Sequence, residues 1–306
     1  MRPLHIQTPL LQSLPLSQQL GTRVWLKMEA LQPSGSFKCR GVSLACQHYV
    51  AQGARSLVSS SGGNAGLAVA YAGRQLGVPV TVVVPITTSA RAIELIRQQG
   101  AEVRVEGARW NESHEVALEL AERGGAYIHP FDDPLLWQGH GTLIDEVVEA
   151  GVQPDLVVLS VGGGGLLCGA IEGLRRNGAE RVPVWAVETE GAASLNHALA
   201  AGRLEGVERI DSVATSLGAL CVAERAFALS SQHPVTAKTV SDGQAIGACD
   251  RFLEEQRLLV EPACGASLAA LYDFDGTLQP FRDVLVIVCG GVGTSRQQLQ
   301  QWLEPA

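Results

Sequence analysis

The sequence predicts an α/β fold in which largely parallel, twisted sheets are flanked by helices. Short runs rich in β-branched residues recur, each bounded by glycine or proline, at 78–85, 101–107, 154–162, 182–188 and 282–291. Nearly continuous apolar runs of this length are typical of parallel strands buried on both faces. Amphipathic stretches separate them, which indicates helical crossovers. At 306 residues the chain exceeds one typical domain and falls short of three, so we expect two lobes.

The intervening helices carry end signals. Ser89 is of the residue type that caps a helix, and Gly100 can end that helix in a left-handed conformation. Ile93 and Ile96 share one of its faces. The stretch 111–125 repeats the pattern with an apolar face and a closing glycine, formed by Val116, Leu120, Ala121 and Gly124.

Composition excludes several classes of partner. The net charge of −8 disfavours nucleic acid and anionic membranes, which require clustered Lys and Arg. The seven cysteines are scattered and form no C-x-x-C pair, as expected for reduced thiols in the cytoplasm. The N-terminal segment lacks the unbroken apolar stretch of a signal peptide, and no run approaches membrane-spanning length. We therefore expect a cytoplasmic protein with no membrane or nucleic-acid partner.

Two glycine-rich turns lie between a strand and a helix. In the first, residues 59–66 (SSSGGNAG), backbone N–H groups at a helix N-terminus can receive a carboxylate, although an empty structural turn is equally compatible. In the second, Gly162–Gly165, four consecutive glycines let the backbone wrap around a phosphate group. The second turn matches neither the dinucleotide fingerprint nor the P-loop.

Three further segments carry reactive side chains whose roles stay open when each is taken alone. Lys38 follows Ser36 and Phe37, and it is either a shielded Schiff-base lysine or a surface residue. Cys289 ends an apolar strand and is either a site residue or inert core. Glu261 precedes a proline at a helix start, where it can simply complement the helix dipole. The histidines show no metal-binding spacing, and no G-x-S-x-G motif supports a hydrolase.

Taken in order, S-F-K-x-R-G, S-S-G-G-N-A-G, the tetraglycine, E-P-A-C-G-A-S and V-C-G-G resemble fold-type-II pyridoxal phosphate (PLP) enzymes. The similarity is greatest to the serine/threonine dehydratases, in particular the short serine dehydratases and their dehydratase-like isoforms. It extends over nearly the whole chain. The resemblance implies the two-lobed architecture of the tryptophan synthase β subunit. It implies a small lobe at 32–135 inserted into a larger one formed by 1–31 and 136–306, with the cofactor between them.

The resemblance also implies roles for individual residues. Lys38 would form the Schiff base with PLP and then act as the general base. The remaining contacts with the cofactor would come from Phe37, Asn64, Gly162, Gly163, Gly164, Gly165, Ser216 and Cys289. The substrate would be held by Ser61, Gly62, Gly63 and Asn64. A monovalent cation, usually potassium, would be bound by Gly162, Glu188, Ala192, Ser194, Leu217 and Ala219.

The activity implied is β-elimination of L-serine, and of L-threonine, to pyruvate or 2-oxobutanoate and ammonia. The phosphate of PLP would be the acid for the departing hydroxyl group, and the enzyme, a lyase of amino-acid catabolism, would be a homodimer. Gly62 and Ser216 stand where many serine dehydratases have alanine, which leaves the rate and the preference for serine or threonine open. Other outcomes remain: serine racemase, threonine synthase, a sulfhydrylase, a PLP-binding regulator of low activity, or a nucleotide binder without PLP.

Overall fold

The computed structural model describes residues 2–304. Its strands are β1 (Leu10–Gln12), β2 (Arg23–Lys27), β3 (Leu57–Ser59), β4 (Val80–Val84), β5 (Glu102–Val105), β6 (Ala126–Tyr127), β7 (Leu156–Ser160), β8 (Val184–Thr189), β9 (Val235–Val240) and β10 (Asp283–Ile287). Its α-helices are α1 (Leu14–Leu20), α2 (Lys38–Ala51), α3 (Asn64–Leu76), α4 (Ala90–Gln98), α5 (Trp110–Ala121), α6 (Pro134–Glu149), α7 (Gly165–Arg176), α8 (Ser194–Ala201), α9 (Glu224–Gln232), α10 (Asp242–Gln256), α11 (Pro262–Tyr272) and α12 (Arg296–Leu303). Short 3-10 helices form at Glu29–Leu31 and Thr215–Leu217.

The strands form two sheets. One has the order β1-β2-β10-β7-β8-β9 and the other β5-β4-β3-β6. Every pairing is parallel except that of β1 with β2. The predicted α/β class with largely parallel sheets is confirmed.

The first compact unit comprises the described residues of Met1–Ile6 and Gln32–His140 and contains the four-stranded sheet. Helix α5 packs its apolar face on β3 and β4, where Val116, Leu120 and Ala121 contact a core formed by Val58, Val83 and Ala117. The face predicted for residues 111–125 is confirmed. Gly124 adopts the expected left-handed conformation with φ +96°.

The N-terminal segment is bound to this unit through hydrogen bonds. The carbonyl oxygen of Arg2 accepts from Gln47, and that of Leu4 accepts from Tyr71. Ile6 exchanges two hydrogen bonds with the side-chain amide of Gln32, at 3.0 and 2.9 Å. These contacts attach residues 2–6 to the first unit, although the prediction from the sequence assigned them to the larger lobe. The functional lobe boundaries stay a prediction.

The second unit comprises Gln7–Leu31 and the described residues of Gly141–Ala306 and contains the six-stranded sheet. Strands β7 and β10 lie at its centre, and their side chains are buried almost throughout. Helix α11 packs on this sheet and is buried on nearly all sides. This explains why its sequence is apolar without a helical period.

Two features differ from the simplest expectation. Strand β5 is largely exposed because it lies at a sheet edge, although its run 101–107 is expected to be buried on both faces. Strand β9 is not predicted from the sequence, because it is an edge strand of the six-stranded sheet that pairs with β8 only. Polar residues interrupt its apolar ones, so it lacks the continuous apolar run of a strand such as β7. Within residues 2–304, no helix is both long and apolar enough to cross a membrane.

Candidate active site

Lys38 is the first residue of α2, in the first unit. Its Nζ atom donates a hydrogen bond to the carbonyl oxygen of Pro130, 2.5 Å away, and lies 5.1 Å from the centroid of the Phe37 ring. The Phe37 ring contacts the imidazole of His140 edge-on, with centroids 4.8 Å apart. The lysine amine therefore lies beside an aromatic ring and a carbonyl oxygen.

Buried polar groups accompany this lysine. Ser34 and Ser36 are 2% and 1% exposed, and their hydroxyl groups have no hydrogen-bond partner among the described residues. His140 accepts a hydrogen bond from the Gly41 N–H at Nδ1, so its proton is on Nε2, which also lacks a partner there. Because such groups are costly to bury unpaired, they fit a segment that contacts a polar ligand or water.

The turn after β3 has the geometry of an anion site. Helix α3 begins at Asn64, and its N-cap residue, Gly63, has no side chain that could cap the N–H groups of the first turn. The Oγ atom of Ser61 accepts a hydrogen bond from the Gly63 N–H at 3.3 Å. Gly66 is required for close packing, because a Cβ atom there would be 1.8 Å from the carbonyl oxygen of Ser61. A helix N-terminus without a side-chain cap fits a carboxylate.

The lysine and this turn lie at the same edge of the four-stranded sheet. Strand β3 leads into the turn, whereas β6 leads to Pro130, and the two strands are parallel neighbours. Ligands of α/β proteins bind at the carboxyl ends of parallel strands. Topology thus brings the turn at residues 61–64 and the carbonyl that holds Lys38 to one side of the first unit.

His129 fixes the loop that holds Lys38, although no motif in the sequence singles it out. Its Nδ1 atom accepts hydrogen bonds from the N–H groups of Phe131 and Asp132, at 3.2 and 2.7 Å. Burial, together with the nearby His114 and the Lys38 ammonium, lowers the pKa of His129 to about 4, so the ring is neutral at pH 7. A histidine placed just after a short strand is the signal that could have revealed it.

A second network anchors the end of β3. The Tyr127 hydroxyl lies 2.8 Å from Ser60 Oγ and 2.9 Å from His114 Nδ1. Burial raises the pKa of Tyr127 to about 12 and lowers the pKa of His114. Both groups are therefore uncharged at pH 7, and they hold the residue that precedes Ser61 by neutral hydrogen bonds.

The tetraglycine turn follows β7 in the second unit. Gly164 has φ +91°, and a Cβ atom there would be 2.4 Å from that of Ala226. A Cβ atom on Gly162 would be 3.0 Å from the carbonyl oxygen of Ser216 and from Leu217 Cα. Helix α7 begins at Gly165 with no side-chain cap. This backbone cradle, open at a helix N-terminus, fits a phosphate group.

Glu188 lies at the carboxyl end of β8 and is fully buried. Its two carboxylate oxygens accept hydrogen bonds from the N–H groups of Leu195 and Asn196, each at 2.8 Å. Burial nevertheless raises the pKa of Glu188 to about 7. Nearby in the chain, the buried hydroxyl of Ser194 has no partner among the described residues. These oxygens fit a cation, and Ala192 belongs to the same turn, since its N–H donates to the Thr189 carbonyl oxygen.

The remaining cation ligands that the resemblance implies lie near the tetraglycine turn. Leu217 packs against Gly162, since a Cβ atom added to this glycine would contact it. The N–H of Ala219 donates to the carbonyl oxygen of Leu217 at 2.8 Å. Among residues 2–304, no three His, Cys, Asp or Glu side chains gather into a metal cluster. A site here would therefore depend on the single carboxylate of Glu188 together with carbonyl and hydroxyl oxygens, which suit a hard cation.

Cys289 follows β10 and is buried beside Cys264. A hydrogen bond with Cys264, together with burial, raises the pKa of the Cys289 thiol well above its ordinary value. The group is therefore a neutral thiol at pH 7. Glu261 faces the following glycines, and a Cβ atom on Gly291 would be 2.0 Å from its carboxyl carbon.

The fold and these turns define the class of the protein. A family model described as pyridoxal-phosphate dependent enzyme matches residues 1–290. The chain belongs to this family, and the resemblance found in the sequence is confirmed.

Individual relatives and solved structures are similar over nearly the whole chain. The human L-serine dehydratase/L-threonine deaminase is 47% identical over 309 residues, which cover 97% of this chain and 94% of the relative. The serine dehydratase-like protein of Rattus norvegicus is 48% identical, with 98% and 94% covered. The L-serine ammonia-lyase of Rhizomucor miehei superposes with a TM-score of 0.91 at 37% identity, with 98% of each chain covered. The serine racemase of Dictyostelium discoideum superposes with a TM-score of 0.83 at 27% identity, with 94% and 93% covered.

Proposed function

We propose that this protein is an L-serine/L-threonine ammonia-lyase, which converts L-serine to pyruvate and ammonia and L-threonine to 2-oxobutanoate and ammonia. The observation that carries the proposal is the identity of 42–48% to proteins named serine dehydratase or dehydratase-like, over nearly their full length. The lysine at the start of α2, beside a carbonyl oxygen and an aromatic ring, supports it independently.

The chain has suitable residues for PLP at both ends of the cofactor. We assign the covalent link to Lys38, the ring contacts to Phe37, Asn64, Ser216 and Cys289, and the phosphate to Gly162–Gly165. When bound, PLP supplies an electron sink for the carbanion formed at Cα of the amino acid. The buried neutral thiol of Cys289 supports a ring nitrogen that meets no negative charge.

The substrate carboxylate is assigned to the turn formed by Ser61, Gly62, Gly63 and Asn64. The uncapped N-terminus of α3 supports this assignment, because amide N–H groups and the helix dipole both favour an anion there. The Ser61 hydroxyl group is already oriented within the turn, because its oxygen accepts a hydrogen bond from the Gly63 N–H. Such fixed donors orient the substrate without needing to reorganise on binding.

Lys38 is assigned as the base that removes the Cα proton. An amine that takes up a proton becomes an ammonium group, and the Pro130 carbonyl oxygen accepts a hydrogen bond from this nitrogen. Hydrogen bonds to charged groups are the stronger kind, so this carbonyl stabilises the protonated lysine. General-base catalysis of this type contributes about 10²–10⁴-fold in rate.

We also propose that a monovalent cation, potassium in the cell, binds beside Glu188 and Ser194. The site would be completed by oxygens of Gly162, Ala192, Leu217 and Ala219. Support comes from the buried Glu188 carboxylate, whose ionisation burial disfavours, and from the unpartnered Ser194 hydroxyl. A bound cation would compensate for both.

For the state of the protein in the cell, we propose a cytoplasmic homodimer. All seven cysteines are free, which supports a reducing compartment. The homodimer depends on the family resemblance alone. Sedimentation of the purified holoenzyme would give one species of twice the chain mass, whereas a monomer would contradict the proposal.

The experiment is a substrate panel. The purified holoenzyme is incubated with L-serine, L-threonine and D-serine, and keto acid, ammonia and enantiomers are measured, the last by chiral chromatography. We expect pyruvate from L-serine and 2-oxobutanoate from L-threonine, each equal to the ammonia released. The matched variant Lys38→Arg keeps the charge and should form neither.

Two outcomes would contradict the proposal. Absence of keto acid would indicate a binding protein or another reaction. Substantial D-serine would indicate a racemase, the second candidate, which structures of the same fold support.

A further inference from the structure

Gly62 lies in the substrate turn with the side chain of Thr88 directly against it. A Cβ atom on Gly62 would be 2.7 Å from the Thr88 methyl carbon and 3.1 Å from its hydroxyl oxygen. The third neighbour is a methyl group of the buried Val84, at 3.3 Å. Distances this short mean that Thr88 already fills the volume that a side chain on residue 62 would occupy.

The glycine is not required by the backbone at this position. Gly62 is absent from the left-handed region that favours glycine, unlike Gly164. Its backbone conformation would therefore accept an L-amino acid, and the side chain of Thr88 is what prevents one from fitting.

Thr88 cannot easily move away. Its N–H donates to the carbonyl oxygen of Pro85 at 3.0 Å, and the next residue, Ser89, caps helix α4 by accepting a hydrogen bond from the Ala92 N–H. Two residues earlier, the N–H of Ile86 donates to the Gly107 carbonyl oxygen. A β-branched side chain is also stiff about χ1, so the loop holds Thr88 in one orientation against Gly62.

We propose that Thr88 restricts position 62 to a residue without a side chain: it keeps a second proton donor out of the substrate turn and so favours elimination over inversion. The proposal deepens the proposed function and rests on it. Elimination transfers the Cα proton to Lys38, breaks the Cβ–O bond and forms the Cα–Cβ double bond; the departing hydroxyl group would take a proton from the phosphate that we assign to Gly162–Gly165 and leave as water. Inversion instead returns a proton to Cα from the other side, which requires a second acid besides Lys38.

Gly62 and Thr88 therefore form a matched pair in the substrate turn. A serine at position 62 would bring a hydroxyl group into the turn that we assign to the substrate carboxylate. With Thr88 present, its Cβ atom has no room unless the turn shifts. Removing the Thr88 side chain beyond Cβ provides that room while leaving the loop's backbone hydrogen bonds intact.

The test compares Gly62→Ser, Thr88→Ala and the double variant with the unmodified enzyme. Each is given L-serine, the ratio of D-serine to pyruvate is measured by chiral chromatography, and Tm is recorded. We expect the double variant to raise this ratio at least about tenfold over Gly62→Ser, since contacting residues are coupled. We also expect Thr88→Ala to restore the Tm that Gly62→Ser lowers.

Two controls separate volume from chemistry. Gly62→Ser combined with Thr88→Val keeps the volume and removes the hydroxyl, so it should gain nothing over Gly62→Ser. Thr87→Ala changes the exposed neighbouring residue and should leave both the ratio and Tm unaltered.

Specific results would overturn the proposal. If Tm is restored in the double variant but the ratio does not change, Thr88 is only a packing residue. If Gly62→Ser alone reaches the ratio of the double variant, Thr88 excludes nothing. Lack of pyruvate from the unmodified enzyme would instead refute the proposed function, and the Tm coupling would still be measured.

Discussion

The amine of Lys38 donates its hydrogen bond to Pro130, a backbone carbonyl whose position depends on the preceding side chain. His129 holds this loop by accepting two backbone N–H groups at one ring nitrogen. His129 thus positions Lys38, the residue that we assign as base, indirectly: its hydrogen bonds hold the loop, and the loop carries the carbonyl group that binds the lysine. A change in the conformation of this loop should therefore change the reactivity of the Lys38 amine.

Replacing the His129 ring separates these effects. His129→Leu removes the acceptor at Nδ1, and we expect kcat for L-serine to fall about tenfold, because two amides lose their partner and the Pro130 carbonyl shifts. His129→Asn places an amide oxygen near the former Nδ1 and should retain most of the activity. Steady-state kinetics with unchanged KM would check this. Equal loss in both variants would contradict a role for the acceptor.

The same histidine predicts a pH dependence of stability. The pKa of His129 is about 4 in the folded protein and near its ordinary value of 6.5 when unfolded. Between these values the unfolded chain binds more protons, so the free energy of unfolding decreases as the pH is lowered from 6.5 to 4. Because the ring is only half-buried, we expect this residue to contribute a loss of about 1–2 kcal/mol.

Urea unfolding at a series of pH values measures this contribution. His129→Asn should flatten the decline between pH 6.5 and 4. The matched control, His48→Asn, changes an exposed histidine and should follow the unmodified protein. Identical slopes in all three proteins would show that His129 titrates normally in the folded state.

Potassium should stabilise the fold through Glu188. We expect Tm to increase when tetramethylammonium is replaced by potassium, by an amount equivalent to about 2.7 kcal/mol at a hundred times the dissociation constant. Activity should follow the same exchange and recover when potassium returns. Thermal unfolding in the two salts is the measurement.

Two variants test whether Glu188 is a ligand of the potassium ion. Glu188→Gln should abolish the difference in Tm between the two salts. Glu190→Gln, two residues along and exposed, should keep it. A potassium effect that survives in Glu188→Gln would place the cation elsewhere.

Close packing predicts opposite effects at two glycines. Gly66→Ala would force the Ser61 carbonyl away, so we expect a loss of about 1–3 kcal/mol and an increased KM for L-serine. Gly247, in the middle of α10, has nothing within 4 Å of its Cβ position. Gly247→Ala should therefore stabilise the protein by about 0.5–1 kcal/mol with unchanged kinetics. Chemical denaturation and initial rates check both, and a harmless Gly66→Ala would contradict the packing argument.

Much of the fold could be predicted because its signals are local. The runs that became β4, β7, β8 and β10 are apolar and bounded by turns, and the cap at Ser89 is visible three residues ahead of its partner. The edge strand β9 could not be predicted in the same way. β9 is half polar and pairs with one neighbour only, so its identity as a strand depends on β8, which is distant in sequence.

The residues of the candidate site also fall into two groups, those with a local sequence signal and those without one. Each glycine turn, and likewise the S-F-K segment, is one continuous stretch of sequence, so the sequence alone indicates it. Thr88 and His129 were not found, because each acts through a neighbouring strand end that only the parallel pairing of the four-stranded sheet brings close. A contact between residues on different strands of a sheet produces no characteristic spacing of residues in the sequence.

The hydrogen bonds of residues 2–6 bear on how the protein should be produced. The carbonyl oxygens of Arg2 and Leu4 accept hydrogen bonds from Gln47 and Tyr71, and Ile6 pairs with Gln32, a few residues before Lys38. A purification tag fused at the amino terminus would lie against these pairs and compete with them. A tag at the carboxyl terminus leaves them intact and is the better choice for an expression vector.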